Sequence, residues 1–537
     1  MPLWEAGRET ALLWSIAAAA WGIALVMSRR RRDGERTRAA PGARARRARS
    51  LGLALLAGAL SALSFPEPNL WWLAWIGLVP AMLLVASAPT SHAAALRGWF
   101  GGVGYLLAAT HWLTPKIGPG IVAGAFLLGL TWMPWGALTH RALRGSLYPR
   151  RLALWMPVVA SAWLVTESLR SWDRLGGPWG LLGASQWRGS PLLSLASFGG
   201  VWLIGSVLVA INLGVARVLR PEGERRARIV TVLATLSVVA GAIAAGTATG
   251  DPTTQGSVTI GGVQPGPGLG AVDRFEREID LTQELANVQL DLVVWGESSV
   301  GIGLQPDRST IDRLAALSSE VGAPLLVNID ARRGEGGIYK SSVLLDAHGA
   351  RGSYDKMRLV PFGEYIPLRF ALEWLESISE AAEEDWRRGE GLELLGANGY
   401  SIGPLVCFES AFPDMTRNLA ARGADLIVVQ SATTTFQESW APEQHASLAA
   451  VRAVEVGRPV VHATLSGVSA IYGPSGRLLV QLPTSKRGIY VAEVPLTSGR
   501  TLYVRWGDWV LIVSWLLLGV TTIARRLEGM RYQRRPF

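Results

Sequence analysis

Apolar runs of about bilayer-spanning length constrain this chain more than any other feature of its sequence. They lie at 11–28, 51–65, 70–88, 98–113, 120–137, 152–168, 196–218, 229–247 and 507–524. A 537-residue chain that is 49% hydrophobic is too apolar for an ordinary soluble enzyme. We therefore predict a multi-span α-helical membrane bundle with nine spans, of which the run at 51–65 is short for a bilayer.

The basic residues are concentrated outside one long segment of the chain. Residues 248–506 hold 22 Lys and Arg against 31 Asp and Glu, whereas the rest of the chain holds 30 basic and 11 acidic residues. Short basic segments between apolar runs are typical of membrane proteins, in which cationic loops stay in the cytoplasm. The net charge of +10 therefore does not indicate a protein that binds nucleic acid.

The positions of the basic loops predict the orientation of the spans. These loops are 29–49, 138–151 and 217–228, and the tail after the last run is basic as well. Alternating the spans from them places four segments outside the cytoplasm, namely 66–69, 114–119, 169–195 and 248–506. We expect a multi-pass protein of the cytoplasmic (inner) membrane with its C-terminus in the cytoplasm.

This pattern divides the chain into four parts. An extra N-terminal span with a basic cytoplasmic loop occupies 1–50, the transmembrane bundle 51–247, an extracytoplasmic domain 248–506, and a closing span with a basic cytoplasmic tail 507–537. The first span is expected to remain as an anchor, because its cationic flank at 29–32 follows the apolar stretch, whereas in a signal peptide it precedes it.

The extracytoplasmic segment contains short runs dense in Val, Ile and Leu, such as LVVWGE, APLLVNID and ADLIVVQ. Such runs are typical of strands that helices bury on both faces. We therefore predict a layered α/β domain, which is long enough to form one hydrophobic core.

Three polar residues stand at the ends of these predicted strands. Glu297 ends LVVWGE, Lys356 follows a short strand, and Cys407 closes GPLVC. Because the carboxyl ends of parallel strands collect ligand-binding groups, these residues can meet there. Each residue alone is more often structural, as a buried cysteine, a capping carboxylate or a solvated lysine. As the one cysteine of the chain, Cys407 cannot form an internal disulfide or a cysteine-cluster metal site.

A cysteine that attacks a carbonyl needs a base, stabilisation of its thiolate, and donors for the oxyanion. Glu297 could be the base, and Lys356 is a positive charge suited to the oxyanion. Pro413 fits the first turn of a helix that Gly423 would end. Cys407 is then expected on a sharp turn just before the positive end of that helix.

The motifs around these residues resemble the nitrilase superfamily, and more closely its membrane branch, the apolipoprotein N-acyltransferases. They read VVWGES around Glu297, KMRLVPFGEYIPLR from Lys356, VCFES around Cys407, and PEQHASLAAVRAVEVGRPVVHATLSGVSAIYGPSGR downstream. The resemblance covers nearly the whole chain and implies an extracytoplasmic α/β nitrilase-like domain, an αββα sandwich. It implies that Glu297 is the general base, Lys356 the oxyanion stabiliser and Cys407 the nucleophile. It also implies supporting positions for Glu364, beside the triad, and for Phe408 and Glu409, after the nucleophile.

The reaction that the resemblance implies has two steps and needs no metal and no organic cofactor. Cys407 takes a fatty acyl chain from a membrane phospholipid, and the thioester then acylates the α-amino group of the lipidated N-terminal cysteine of a diacylglyceryl apolipoprotein. The enzyme is expected to act as a monomer. Two stretches depart from the family pattern, QSATTTF at 430–436 and PGPGLGAVDRF at 265–275, so contacts to acceptor and acyl donor do not transfer there.

Three other interpretations remain open. A membrane-tethered nitrilase-type amidase would pass the thioester to water. A Cys-His hydrolase would use His445 or His462 as its base. A non-catalytic lipid-binding membrane protein would have lost its activity, although the apolar runs lack the mid-span charge pairs that transporters use. Residues 370–375 and Phe412 are interpreted as core more readily than as a wall for an acyl chain.

Overall fold

A computed structural model describes most of the chain. The described residues are 43–144, 149–188, 190–220, 225–248, 252–301, 308–333, 337–366 and 384–533. The predicted span at 11–28, most of the loop at 29–49 and the apolar segment at 370–375 lie outside them.

The helices come in two groups, with shorter helical turns between them. The first group comprises α1 (Ala43–Ala59), α2 (Val79–Ala86), α3 (Ser91–Ala109), α4 (Gly120–Gly129), α5 (Met133–Leu143), α6 (Pro149–Arg170), α7 (Ala196–Val218) and α8 (Arg225–Ala248). The second comprises α9 (Ala271–Gln283), α10 (Arg308–Val321), α11 (Pro413–Arg422), α12 (Ala441–Val456) and the closing helix α13 (Trp509–Gln533).

Three helices of the described part are long and apolar enough to cross a membrane. They are Gly120–Leu143, which joins α4 to α5, Leu193–Val218, which contains α7, and Arg225–Ala248, which is α8. Shorter apolar helices lie at Trp71–Ala86 and Trp509–Ala524. The nine predicted spans are thus not all present as long helices. The run at 51–65, for example, divides between α1 and a 3-10 turn at Leu60–Ser64.

Small residues let the first helices approach one another closely. A Cβ atom added at Gly58 would lie 1.9 Å from the carbonyl oxygen of Gly101, and one added at Gly104 would lie 1.8 Å from that of Leu55. These glycines place α1 against α3 with their backbones in contact, which is how helices commonly pack within membranes.

The segment from 252 to 506, called the α/β domain below, contains two six-stranded sheets. Its strands are β1 (Thr254–Gln264), β2 (Leu292–Val294), β3 (Leu325–Arg332), β4 (Ile338–Asp346), β5 (Gly349–Asp355), β6 (Leu395–Ala397), β7 (Tyr400–Val406), β8 (Leu426–Ser431), β9 (Val460–Thr464), β10 (Ser469–Tyr472), β11 (Leu478–Leu482) and β12 (Gly488–Thr497). The order is β12-β1-β2-β3-β4-β5 in the first sheet and β11-β10-β9-β8-β7-β6 in the second. The central strands β1, β2 and β3, and likewise β7, β8 and β9, are parallel.

The two sheets pack face to face, with helices on their outer faces. Buried Ile260 and Leu326 of the first sheet share one apolar cluster with Ile402 and Val428 of the second. Helices α9 and α10 cover the first sheet, and α11 and α12 cover the second. The interpretation that helices bury both faces of each strand is therefore corrected, because the inner face of each sheet packs against the other sheet. Central strands such as β2 and β8 are still buried at every residue, which is why they lack alternation.

Residues 43–248 contain the three long apolar helices and are called the membrane part below. Connecting loops of the membrane part contact the α/β domain. Indole Nε1 of Trp112 and of Trp179 both donate to Oε1 of Gln444, at 3.2 and 2.7 Å. Asp173 forms an ion pair with Arg388 at 2.7 Å. These contacts fix the segments around 112 and 173–179 against the domain.

A buried acidic and basic pair holds one of these loops in place. Glu167 and Arg170, near the end of α6, lie 3.9 Å apart. Glu167 accepts a hydrogen bond from the backbone of Leu182, and Arg170 donates to the carbonyl oxygen of Gly180. The pair lies at the end of the run at 152–168 rather than in its middle, so it supports the loop.

Candidate active site

The turn at Cys407 presents the sulfur at the carboxyl edge of the second sheet. Cys407 follows β7 directly and has a φ of 50°, a left-handed conformation that costs a non-glycine residue roughly 1–2 kcal/mol. Helix α11 begins at Pro413 and ends before Gly423, whose φ is 107°, as predicted. A 3-10 turn at Cys407–Ala411 comes between, however. The expectation that a positive helix end immediately follows Cys407 is therefore wrong, because this turn surrounds the cysteine instead.

Glu297, Lys356 and Cys407 meet, and Glu364 joins them. Nζ of Lys356 lies 3.3 Å from Oε1 of Glu297 and 2.6 Å from Oε1 of Glu364. The Cys407 side chain lies close enough to Glu297 and to Ser431 for these groups to influence its pKa. Lys356 is fully buried, Glu297 and Glu364 are nearly so, and Cys407 is half-buried. A thiol, two carboxylates and an ammonium group therefore share one site that is largely shielded from water.

A second lysine, which the sequence did not single out, completes the cluster. Nζ of Lys340 lies 3.2 Å from Oε1 of Glu297 and 3.3 Å from Oδ1 of Asp330, and it donates to the Ser298 hydroxyl at 2.6 Å. Lys340 and Asp330 face each other across the antiparallel pair β3–β4. Glu297 is therefore held between two ammonium groups.

These charges fix the protonation states of the cluster. Burial alone would raise the pKa of Glu297, but Lys340 and Lys356 outweigh it and hold that pKa at about 2. Burial lowers the pKa of Lys356, but Glu364 and Glu297 outweigh this effect, so the pKa is raised. Burial and the charge of Glu297 raise the pKa of the Cys407 thiol to about 12. At neutral pH the site thus holds a carboxylate, an ammonium group and a protonated thiol.

Glu409 connects the loop that carries Lys356 to the strand that carries Cys407. Its Oε1 accepts hydrogen bonds from the backbone of Met357 at 2.7 Å and of Arg358 at 3.0 Å, and from the Tyr354 hydroxyl at 2.7 Å. Its Oε2 accepts from the backbone of Val406 at 2.8 Å. This fully buried carboxylate touches neither the thiol nor the Lys356 ammonium in these contacts, so its position is structural.

Phe408 packs where the α/β domain meets a loop of the membrane part. Its ring lies 4.9 Å from that of Phe412, and both rings are buried. A Cβ atom added at Gly177 would lie 2.5 Å from the Phe408 ring, and Gly177 has a φ of 70°. The loop therefore needs a glycine at this point to lie against the two rings. Phe412 belongs to the hydrophobic core, as interpreted from the sequence.

The two candidate histidines do not contact the sulfur. Nε2 of His445 lies 3.0 Å from the Cys407 carbonyl oxygen, and its Nδ1 lies 3.1 Å from Oγ of Ser431. Nδ1 of His462 lies 3.0 Å from the carbonyl oxygen of Val468. Burial lowers the pKa of His445 to about 4 and that of His462 to about 3. The geometry therefore does not favour a Cys-His hydrolase.

The stretch at 430–436 lies beside the site and reaches the membrane part. Gln430 is buried and donates to the carbonyl oxygens of Trp295 and Leu326 across the sandwich. At the other end, the Phe436 ring lies 5.0 Å from that of Trp112. Among the described residues, no group of three His, Cys, Asp or Glu side chains is arranged to hold a metal ion.

Two family models match the chain. The apolipoprotein N-acyltransferase N-terminal domain matches residues 57–214, and carbon-nitrogen hydrolase matches residues 270–503. A protein named apolipoprotein N-acyltransferase from Azotobacter vinelandii is 34% identical over 504 residues, which is 89% of this chain and 95% of that protein. The chain belongs to the apolipoprotein N-acyltransferase family.

Further relatives agree with this membership. An apolipoprotein N-acyltransferase from Pseudomonas syringae pv. tomato is 31% identical, over 89% of this chain and 97% of that protein. Among solved structures, an amidase from Nesterenkonia sp. is 20% identical, covers 50% of this chain and 99% of its own, and has a TM-score of 0.36. The family is one of acyltransferases, so the chain is an enzyme of that class. This disfavours the non-catalytic lipid-binding alternative.

Proposed function

We propose that this enzyme moves a fatty acyl chain from a membrane phospholipid, through a thioester on Cys407, to the α-amino group of the lipidated N-terminal cysteine of apolipoproteins. The observation that carries the proposal is the buried ion pair of Glu297 with the Lys356 ammonium group, at 3.3 Å, close enough to the Cys407 thiol for both charges to act on its pKa. Membership of the acyltransferase family supports the overall reaction.

In the first step, the Cys407 sulfur attacks the ester carbonyl carbon of the phospholipid while its proton passes to Glu297. Glu297 is available as the acceptor because the two lysines keep it ionised. Negative charge develops on the carbonyl oxygen beside the Lys356 ammonium group. The C–O bond then breaks, the leaving oxygen takes the proton from Glu297, and a lysophospholipid departs.

In the second step, the α-amino nitrogen of the acceptor attacks the thioester carbonyl carbon and gives a proton to Glu297. The C–S bond breaks, and the sulfur takes that proton, which restores the thiol and releases the N-acylated lipoprotein. A thioester is reactive enough to acylate an amine, and it survives when water is kept away. The burial of Lys356 and Glu297 supports such shielding.

Glu364, Glu409 and Phe408 support these steps without entering them. Glu364 accepts hydrogen bonds from the Lys356 ammonium at 2.6 Å and from the Val360 backbone at 2.9 Å, so it orients the cation. Glu409 and Phe408 hold the turn that carries Cys407. One chain supplies every group in the scheme, which supports a monomeric enzyme.

We further propose that the α/β domain lies on the extracytoplasmic side of the inner membrane, with the domain limits predicted from the sequence. Two segments predicted to lie outside are close to the domain: Trp112, next to 114–119, and Asp173 and Trp179, within 169–195, all contact it. The described part of the basic loop at 138–151 makes no such contact. In a Cys407→Ala background, an impermeant maleimide added to intact spheroplasts should label Lys486→Cys but not Arg141→Cys. Labelling of Arg141→Cys alone would mean that the orientation is opposite to the one proposed.

The thioester is tested by intact-mass measurement of the purified protein after incubation with phospholipid that carries an isotope-labelled acyl chain. We expect one acyl group on the wild-type protein and on Lys486→Ala, a control at an exposed lysine. We expect none on Cys407→Ala or Cys407→Ser, which should still insert into the membrane. A labelled acyl group on Cys407→Ala would remove Cys407 as the nucleophile.

A chase of the labelled enzyme separates transfer from hydrolysis. A diacylglyceryl peptide with a free N-terminal amine should take up the label as an amide, whereas the same peptide with a blocked amine should not. Release of the label as free fatty acid at one rate, with or without the free amine, would instead identify an amidase-type hydrolase.

A further inference from the structure

A cavity of about 1040 Å³ lies between the α/β domain and the membrane helices, away from Cys407. Its walls come from the turn before α7, the last residues of α8, the end of α12, and the segment between β12 and α13. His445, which touches the Cys407 carbonyl, and Val454, which lines the cavity, are both on α12. Their nine-residue separation corresponds to about 14 Å along the helix axis. The cavity is therefore distinct from the thiol site.

The charged side chains in the described lining of the cavity are all basic. Arg458, Arg500 and Arg505 line it, and no described residue of its lining carries a carboxylate. The guanidinium of Arg458 is fixed by hydrogen bonds to the carbonyl oxygens of Ala424, Gly457 and Gly499, and those of Arg500 and Arg505 are exposed. The nearest compensating charge on Arg458 comes from Asp425, outside the lining, while Arg500 opposes it. A ligand with net negative charge would therefore be attracted.

Besides the arginines, the wall holds eight serine and threonine residues, together with apolar side chains that lie near the ends of the long apolar helices. Leu193, Phe198 and Ile243 contribute to it, and Ile243 belongs to α8, one of the three long apolar helices. The Phe198 ring contacts those of Trp506 at 6.4 Å and Trp509 at 6.3 Å, and Trp506 is 58% exposed. Tryptophans at the ends of spans mark the interface between lipid tails and water. The cavity thus presents cations on the side of the α/β domain and apolar groups on the side of the membrane.

We propose that this cavity binds one anionic phospholipid, distinct from the acyl donor at Cys407. The phosphate and headgroup contact Arg500 and Arg505 beside Arg458, because guanidinium groups bind phosphate oxygens in pairs. The upper acyl chains lie along Phe198 and Ile243. A zwitterionic lipid fits less well, because three arginines line the cavity without a carboxylate beside them in its described lining, and they would repel the lipid's own ammonium group. The volume lies at the upper end of the range of small-molecule sites and accommodates a headgroup with the first part of its chains.

Native mass spectrometry of the full chain in mild detergent tests the proposal. A Cys407→Ala background prevents acyl transfer, and phosphatidylglycerol and phosphatidylcholine with identical chains compete for the protein. We expect preferential retention of one phosphatidylglycerol, and a decrease of roughly tenfold or more in Arg500→Gln/Arg505→Gln. The control Arg308→Gln/Arg487→Gln removes two exposed arginines that do not line the cavity and should retain the lipid. Equal retention in the two double variants, or no preference for phosphatidylglycerol, would overturn the proposal.

Three further measurements keep the result interpretable. Arg500→Lys/Arg505→Lys keeps the positive charges but cannot form the paired hydrogen bonds of arginine to phosphate, so lipid retention should be intermediate. This lysine variant replaces the glutamine variant if the latter fails to fold. Excess inorganic phosphate should not displace the lipid; complete displacement would identify a site for a free anion instead. With Cys407 restored, acyl-enzyme formation should be unchanged in Arg500→Gln/Arg505→Gln, and its loss in parallel with lipid retention would place the cavity on the donor path.

Discussion

Two buried ion clusters of the α/β domain shift the pKa of a carboxylate in opposite directions. Around Glu297, two lysines at 3.2 and 3.3 Å outweigh burial and lower its pKa to about 2. Glu455 forms an ion pair with Arg452 at 2.7 Å, with both side chains fully buried, and there burial outweighs Arg452 and the weaker effect of Arg417 and raises the pKa to about 7. The arginines near Glu455 do not compensate the cost of burying its carboxylate, whereas the two lysines at Glu297 do.

The two clusters accordingly serve different ends. Glu297 remains charged beside a nucleophile, where a proton acceptor is needed. Glu455 accepts a hydrogen bond from the backbone of Val201 at 2.7 Å, directly after Gly199 and Gly200, where α7 is kinked. It thus supplies a partner to an N–H group that the kink would leave free. The first cluster prepares for chemistry, and the second joins the α/β domain to a membrane helix.

The largest expected effect comes from breaking the joining pair. Arg452→Leu leaves Glu455 buried without its cation and should lower the free energy of unfolding by about 3–5 kcal/mol. Adding Glu455→Gln should recover most of that loss, because the amide oxygen still accepts from Val201. Thermal unfolding in detergent measures both, with the exposed Arg308→Gln as the control. A loss in Arg452→Leu no larger than in the control would contradict this role.

The pH dependence of stability should separate the clusters next. Since the folded pKa of Glu455 is raised from 4.5 to about 7, folding takes up a proton between these values. The contribution of Glu455 to the free energy of unfolding is therefore fully present below pH 4.5 and is lost as the pH rises through about 7. The total loss is up to about 3 kcal/mol. His445 and His462, with lowered pKa values, act in the opposite direction, so the difference between wild type and Glu455→Gln is the quantity to measure. A flat difference between pH 4.5 and 7 would contradict the raised pKa.

In the cluster around Glu297, Lys356→Ala and Glu297→Gln should each slow acyl-enzyme formation by about 100-fold or more, because they remove the groups that we propose as oxyanion stabiliser and base. Single-turnover intact-mass measurements give the rate, and Lys486→Ala is the control for loss of a lysine. Rates close to the wild-type value in either variant would reduce that residue to a structural role.

The smallest expected effect concerns the second lysine. Lys340→Met removes one of the two cations at Glu297, so the pKa of Glu297 should rise, and the rate of acyl-enzyme formation near neutral pH should change by roughly tenfold at most, because the carboxylate stays ionised there and becomes a stronger base. The acidic limb of the pH–rate profile should move to higher pH, because the base is then protonated more easily. Lys486→Met is the matched control. A uniform loss at every pH, with the limb in place, would mean that Lys340 acts on packing alone.

Local sequence signals predicted much of the α/β fold. Pro413 and Gly423 bound α11 because each residue has a restricted or unusual backbone preference that acts locally. The strand β11 was not among the predicted runs, although its sequence LLVQL is as dense in Leu and Val as theirs. The covering of the sheets was also misjudged. A strand dense in Val, Ile and Leu looks the same whether a helix or a second sheet lies on its inner face.

The site was predicted where residues follow strand ends, and missed where it depends on pairing between strands. Glu297, Lys356 and Cys407 lie at such ends. Lys340 and Asp330 lie within strands and meet through the register of β3 with β4, which sequence spacing does not give. A lysine inside the apolar strand IYKSSVLLD was the available signal, since a buried cation requires a nearby carboxylate.

The raised pKa of Cys407 has a consequence for the resistance of this thiol to oxidation. Peroxides and alkylating reagents attack thiolates, and with a pKa of about 12 very little of this sulfur is thiolate near neutral pH. The resting enzyme should therefore keep its one cysteine unoxidised on the extracytoplasmic side, where we propose that it lies. Slow reaction with iodoacetamide is then expected of the intact enzyme and does not indicate that Cys407 is inactive.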